Sequence, residues 1–415
     1  MSVIVMITRG THGDHFPFLM LGRELKRRGH RVRIGLGKPM QAHARKMGLT
    51  CFDCGTGFGA GEALKHADHW NHWALPKTRP EPVRAAPDIP AEYQGLRTAG
   101  KTAHILVCSS IFSMGGLVHM ATGIPWVTLC LSPAQICEAV RQDDPLTEDD
   151  TARKLRVMLE NRRIHLHKYL RTVGKYFGLR ELPLAPEELE ELQFSENLIL
   201  GTSPHFATPV DKYAHARASG FIFHEDPDWP RWRPDKNLEA FLSQDPPPLV
   251  LSYSSLPLEN PDRVLAVHAR AAQKLGRPLL VQKGWAGFNT AHIPDDVDKN
   301  RVMVAGFMPH DPLFSRADAV IHHGGTGTTG RALKNGCPVL VEPYGNDQFY
   351  NAKRVLELQV GAAMHPLKLT AKELAAVLEK KVLTDRYKDN AKGLKEKLSG
   401  ENGINTACDI IEAAA

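Results

Sequence analysis

Apolar and polar positions alternate along this chain in two successive series. Ser2 to Thr8 is an apolar, β-branched run, followed by a loop, TRGTHGD. His15 to Arg28 reads as a helix, with Leu19, Leu21 and Leu25 among its apolar positions and Gly29 as its stop. Arg31–Leu36, Ile105–Cys108 and Trp126–Leu131 read as further strands, with a helical stretch Met114–Thr122 between the last two. A second series begins near Pro246, with short strands at Leu249–Ser252, Pro278–Gln282, Val302–Ala305, Ala319–His322 and Val339–Val341. Strands alternating with helices predict an α/β fold with doubly wound parallel sheets. Such sheets bind ligands at the loops leaving the carboxyl ends of their strands.

The two series, in a chain of 415 residues, predict two Rossmann-like domains facing across a cleft. The first is expected over 1–225 and the second over 249–395. Residues 226–248, rich in Pro, Trp and Asp (EDPDWPRWRPD, then QDPPP), read as a linker. Residues 396–415 are expected as a C-terminal helix packing back on the first domain. Two segments interrupt the first domain. Leu75–Arg97 holds Pro76, Pro80, Pro82, Pro87 and Pro90, too many for a helix or central strand, and is expected as an acceptor-side flap rather than core. Thr147–Gly178 is a charged helical stretch that reads first as a solvated face and second as a surface for an anionic or lipidic molecule.

Composition narrows the class. Hydrophobic residues at 42% and charged residues at 24% describe a soluble globular protein. No apolar run reaches the roughly 18 residues of a membrane-spanning helix, and MSVIVMITRG reads as a first strand rather than a leader. The seven scattered cysteines (51, 54, 108, 130, 137, 337 and 408) point to a reducing cytoplasm. Cys51 and Cys54 lack a second pair at zinc-site spacing, and no metal is expected. The net charge of +6 suits an anionic ligand or a peripheral membrane contact. No nucleic-acid-binding motif is present, and nothing in the chain fixes the oligomeric state.

The chemistry concentrates in Val320–Val355, VIHHGGTGTTGRALKNGCPVLVEPYGNDQFYNAKRV. An apolar run that stops at a Gly-rich turn and feeds a helix gathers free backbone N–H groups and a positive dipole end at one point. That is an anion site, and phosphate is its usual occupant. His323, Thr326, Thr328 and Thr329 add side-chain donors. Asp347 and Gln348, one loop away, can grip hydroxyl groups. The residues alone thus suggest a sugar joined to a phosphate.

The stretch HHGGTGTTGRALKNGCPVLVEPYGNDQ resembles the donor-binding signature of inverting, nucleotide-sugar-dependent glycosyltransferases of the GT-B fold, the UDP-glycosyltransferase superfamily. GTHGDHFPFLMLGRELKRRGHRV resembles the opening of the branch holding sterol glucosyltransferases, glycolipid rhamnosyltransferases and glycopeptide-antibiotic glycosyltransferases. GFIFHEDPDW, LLVQKGWAGF and GFMPHDPLF are similar to the same branch, so the resemblance touches nearly the whole chain. It implies a UDP- or dTDP-hexose as co-substrate, with no separate cofactor and no metal. His323, Gly325, Thr326, Gly327, Thr328 and Ser255 would hold the diphosphate. Phe307 would either stack on the base or serve in the core, the backbone of Met308 would pair with the base, and Asp347 and Gln348 would hold the hexose. Three residues depart from the family pattern. Ser254 stands where a Gly is usual. Arg331 replaces the ribose-binding Glu of plant-type relatives, which leaves it to meet a phosphate or face solvent. His12 replaces an Arg.

Inverting transfer needs a base for the acceptor hydroxyl. Asp14 matches the aspartate of this branch. His12 competes for the role, although the strand HILVCSS ends without the aspartate that orients such a histidine elsewhere. Apart from the base role, Asp14 could simply cap the helix opening at His15. Trp70 and Trp73, in HADHWNHW, are candidate walls for a lipophilic or aromatic acceptor such as a natural product, sterol or lipid. A GT-B-type sugar-nucleotide epimerase and a non-catalytic nucleotide-sugar-binding regulator are the rival expectations.

Overall fold

The computed structural model describes residues 1–54, 60–65, 71, 94–97, 100–111, 114–138, 174–175, 178–179, 192–306 and 308–415. Two parallel sheets carry the chain. The first runs through β1 (Val3–Ile7), β2 (Arg31–Leu36), β3 (Thr50–Asp53), β4 (Ile105–Ser109), β5 (Trp126–Cys130), β6 (Leu198–Leu200) and β7 (Arg217–Ala218). Its spatial order is β3-β2-β1-β4-β5-β6-β7. The second holds β8 (Leu249–Ser252), β9 (Leu279–Gln282), β10 (Val302–Ala305), β11 (Ala319–His322), β12 (Val339–Val341) and β13 (Gly361–Ala363), in the order β10-β9-β8-β11-β12-β13. Strand order reverses between β1 and β4 and between β8 and β11. In open α/β sheets those crevices, at the carboxyl ends of the strands, receive ligands.

Central strands covered on both faces must be apolar throughout, and Ile4, Val5, Met6 and Ile7 are all fully buried. Seven helices matter to the site: α1 (His12–Arg27), α2 (Lys38–Lys46), α3 (Pro261–Lys274), α4 (His310–Phe314), α5 (Thr326–Lys334), α6 (Gln348–Glu357) and α7 (Gly403–Ala413). The first begins at His12, not His15. Thr11 is its N-cap, and Asp14 is its third residue rather than a cap. The Asp14 carboxylate reaches back to accept from the Thr11 N–H at 2.7 Å and the Thr11 hydroxyl at 3.3 Å, the N3 half of a capping box.

The stretch read as a linker is more than that. Lys236–Leu242 is a helix capped by Asp235, which accepts from the Leu238 N–H at 2.8 Å. Leu238, Phe241 and Leu242 lie in a core cluster shared with Phe221, Val320 and Leu333. At the other end, α7 packs on α1. Ala407, Cys408, Ile410 and Ile411 join the core of Phe18, Leu21 and Leu25. Arg28 reaches Asp409 at 2.5 Å and Glu412 at 2.7 Å. No helix among the described residues is long and apolar enough to cross a membrane. Most of the proline-rich and charged segments of the first domain, with Trp70 and Trp73, lie outside the described residues.

Candidate active site

The candidate anion-binding half is built where β11 ends. His322 is fully buried, and its Nδ1 accepts from the Gly324 N–H at 2.9 Å, which places the ring proton on Nε2. Gly324 has φ +92°, and a Cβ there would stand 2.7 Å from Val341. Only glycine suits that conformation without strain. A Cβ on Gly325 would lie 2.5 Å from the His323 ring, so the turn and the ring are packed against each other. Burial holds His323 down to about 4, although a hydrogen bond to the Ser252 carbonyl opposes it, and drives His322 well below its ordinary value. Both rings are therefore neutral near pH 7.

Helix α5 follows at once, so its first N–H groups and dipole point into the turn. The threonines divide their duties. Thr326 Oγ1 donates to Asp347 Oδ2 at 2.8 Å, and Thr329 Oγ1 donates to the Gly325 carbonyl at 2.9 Å. Thr329 is thus turned onto the backbone rather than toward a ligand. Thr328 is buried and Gly327 has open space around it. Asn351, on α6, ties the turn down by donating to the Gly324 carbonyl at 2.7 Å and to Thr326 Oγ1 at 3.0 Å. Gln348 Oε1 accepts from the Tyr344 and Gly345 N–H groups at 2.7 and 3.0 Å. That fixes the flip of the amide and makes its NH2 the end available to a hydroxyl.

The β8 turn supplies the next wall. Ser254 has φ +50°, so a serine occupies the left-handed position where the family usually has Gly, and Ser255 follows half-buried. Buried Ser252 donates to Gln282 Oε1 at 2.6 Å, and Gln282 Nε2 donates to the Met308 carbonyl at 3.1 Å. This chain orients the Met308 backbone. Phe307 lies outside the described residues.

Beneath the turn lies a network that sequence reasoning missed. Tyr253 donates to Glu342 Oε2, and His268 Nε2 meets Glu342 Oε1 at 3.0 Å. All three are buried, and the Tyr253 ring stands edge-on to His323 at 6.3 Å. Burial lowers the His268 pKa, but the Glu342 carboxylate more than offsets it, and the net shift is upward. A charged residue directly after an apolar strand (VLVEP) was the available signal.

The first-domain half sits at the opening turn of α1. The His12 ring contacts Phe16 at 4.9 Å and, edge-on, Trp285 at 4.7 Å. Trp285 belongs to the second domain, and its backbone N–H donates to the Ser254 carbonyl at 2.8 Å. His12 and the β8 turn therefore share one cleft. Burial, with His43 and His15 nearby, lowers the His12 pKa to about 4. Its neighbours were also missed. His15 is fully buried, with Nδ1 2.7 Å from the Thr11 carbonyl, and His224 stacks on Phe16 at 3.8 Å and 9°. Among the described residues, no group of three or more His, Cys, Asp or Glu is placed to hold a metal ion.

Arg331 corrects its expected place. It neither reaches the phosphate turn nor faces solvent. It is buried, pairs with Asp311 of α4, donates to the His224 carbonyl at 2.7 Å and lies over the Phe223 ring at 4.3 Å. A planar guanidinium is suited to stacking and hydrogen bonding at once.

Comparison with known proteins agrees with this geometry. Residues 4–128 match the glycosyltransferase family 28 N-terminal domain, and residues 281–408 match the erythromycin biosynthesis protein CIII-like C-terminal domain. A sterol 3-beta-glucosyltransferase of Arabidopsis thaliana is 24% identical over 98% of this chain and 67% of its own length. One from Saccharomyces cerevisiae is 31% identical over 50% of this chain, which spans only 17% of that protein. An uncharacterized glycosyltransferase of Mycobacterium leprae is 25% identical over 98% of this chain and 95% of its own. The solved structure of CalG4, the calicheamicin glycosyltransferase, superposes with a TM-score of 0.71 at 19% identity, covering 100% of this chain and 98% of that one. VinC, solved with dTDP, gives 0.64 at 17% identity over 99% of each chain. Two family models of glycosyltransferase type thus match residues 4–128 and 281–408, and the fold is that of the GT-B glycosyltransferases.

Proposed function

We propose that this protein is an inverting glycosyltransferase that moves a hexose from a UDP- or dTDP-sugar to a hydroxyl of a lipophilic or aromatic acceptor. The observation that carries the reading is the glycine turn His323–Gly325 feeding α5, with Asp347 hydrogen-bonded to Thr326 at its mouth. Diphosphate would lie on the N–H groups of the turn and on Ser255, Thr326, Gly327 and Thr328. Neutral His323 would donate a hydrogen bond rather than a charge. Asp347 and the Gln348 amide would hold the hexose, and the Met308 backbone, beside Phe307, would face the base.

The reaction is one displacement. The acceptor oxygen attacks the anomeric carbon as its proton passes to the base, and the bond from that carbon to the diphosphate oxygen breaks. Charge growing on the leaving diphosphate is stabilised by the turn, donors already in place before the reaction. We assign the base to Asp14, with His12 as its helper at the same helix start. The dTDP complex of VinC supports a nucleotide diphosphate as donor moiety, and the sterol glucosyltransferase relatives support an apolar acceptor.

The test is transfer from UDP- and dTDP-hexoses to a panel of sterol, polyketide and hydroxy-fatty-acid acceptors, with the product anomer read by NMR. Inverted product is expected. Asp14→Asn keeps an oxygen for the Thr11 N–H and is expected to lower kcat about 10²–10⁴-fold with nucleotide binding unchanged. Near-normal turnover in that variant, with loss in His12→Ala, would move the base to His12. Release of a free epimerised sugar without acceptor would replace the reading with an epimerase.

A further inference from the structure

We infer that Arg331 is a positioning residue that sets the register of the donor turn against the α1 helix start across the cleft. The inference rests on the proposed transferase function. Arg331 lies on α5, the helix whose N-terminus forms the diphosphate turn, while its guanidinium ends on the first domain's trailing segment. It donates to the His224 carbonyl at 2.7 Å and covers the Phe223 face at 4.3 Å. The ring of His224 stacks on Phe16 at 3.8 Å, and Phe16 lies 4.9 Å from His12. The preceding residue has the same partner segment: a Cβ on Gly330 would come 2.6 Å from the Phe221 ring. Two consecutive residues of α5 are thus packed directly on residues 221–224, without space for adjustment.

Asp311, on α4, pairs with Arg331 and also accepts from Asn335 Nδ2 at 2.6 Å. The guanidinium is therefore held on the second-domain side by a carboxylate and on the first-domain side by a carbonyl and a ring. Five donors in one rigid plane allow both at once. A lysine could keep the bond to the carbonyl but not the stack. Since the guanidinium is spent on Asp311, the His224 carbonyl and the Phe223 ring, its effect on reaction must come through placement. A displacement of about 1 Å between reacting groups can cost on the order of 10²-fold in rate.

The experiment compares wild type with Arg331→Met, Arg331→Lys and His224→Ala, reading kcat, acceptor KM and the dissociation constant of free UDP or dTDP. His224→Ala retains the backbone carbonyl and removes the ring that stacks on Phe16 and meets Trp229 edge-on at 4.9 Å. Arg331→Met is expected to lower kcat on the order of 10–100-fold, with nucleotide affinity within about threefold of wild type. His224→Ala is expected to lower kcat in the same sense, and the double variant to lose less than the product of the two. Should Arg331→Met fail to fold, Arg331→Lys carries the same expectation at smaller size. A folded Arg331 variant with wild-type kcat overturns the inference alone, as does a loss confined to nucleotide affinity. A wild type that transfers from no nucleotide sugar overturns the proposed function and this inference with it.

Discussion

Thr326 donates its hydroxyl proton to Asp347 Oδ2 at 2.8 Å. One hydrogen bond therefore joins the turn assigned to the diphosphate with the carboxylate assigned to the hexose. Asn351 braces both, lying 3.0 Å from Thr326 Oγ1 and 3.5 Å from Asp347 Oδ2. The two proposed donor subsites are one structural unit.

Asp347→Ala should expose the difference between holding the sugar and holding the nucleotide. A hydrogen bond to a charged group is worth about 1.5–3 kcal/mol, so the KM for the nucleotide sugar is expected to rise on the order of tenfold or more. Affinity for the free nucleoside diphosphate should fall by a smaller factor, since the turn keeps its own donors and Thr326 loses only its brace. Calorimetry with both ligands checks this, and equal losses for the two would place Asp347 elsewhere.

Gly330→Ala should destabilise the fold. Its Cβ would meet the Phe221 ring at 2.6 Å, and overpacking of that kind costs about 1–3 kcal/mol. A lowered urea midpoint with an unchanged slope is the expected reading. Half-buried Gly393, with open space around its Cβ position, serves as control and should gain rather than lose stability on substitution by Ala.

Acid should unfold this protein earlier than its carboxylates require. Burial lowers His12, His15, His224 and His323 to about 4 and His310 to about 3. Each binds its proton more readily when unfolded. Their stability contribution is therefore complete above the unfolded value near 6.5 and is lost as pH falls toward 4. His268 acts oppositely, since its raised pKa favours the folded state at low pH and fades as pH rises through it. His322 is lowered as well, so one residue against six leaves a net fall. Melting temperatures between pH 7.5 and 5 should drop steeply, and a flat profile would count against neutral burial of these rings.

Much of the fold was legible because parallel strands buried on both faces read as unbroken apolar runs. Val302–Ala305, Ala319–His322 and Val339–Val341 fall where the pattern put them. The start of α1 was misread because His12 and Gly13 look like loop, although Thr11 followed three residues later by Asp14 is a capping signal. The glycine turn after β11 was legible because its residues are local in sequence. Arg331 was not, since its partners arrive from residues 223–224, over a hundred positions earlier. The Tyr253–Glu342–His268 network was hidden for the same reason, its members coming from three separate elements.

The most direct test of the account is binding of UDP and dTDP to wild type and to Gly325→Ala. The added Cβ would stand 2.5 Å from the His323 ring and displace it from the turn. Wild type is expected to melt at higher temperature with at least one of the two nucleotides, since a ligand at a hundred times its dissociation constant stabilises by about 2.7 kcal/mol. Gly325→Ala should fold and show no such rise. Equal stabilisation of both proteins, or of neither, would contradict a diphosphate site at His323–Gly325.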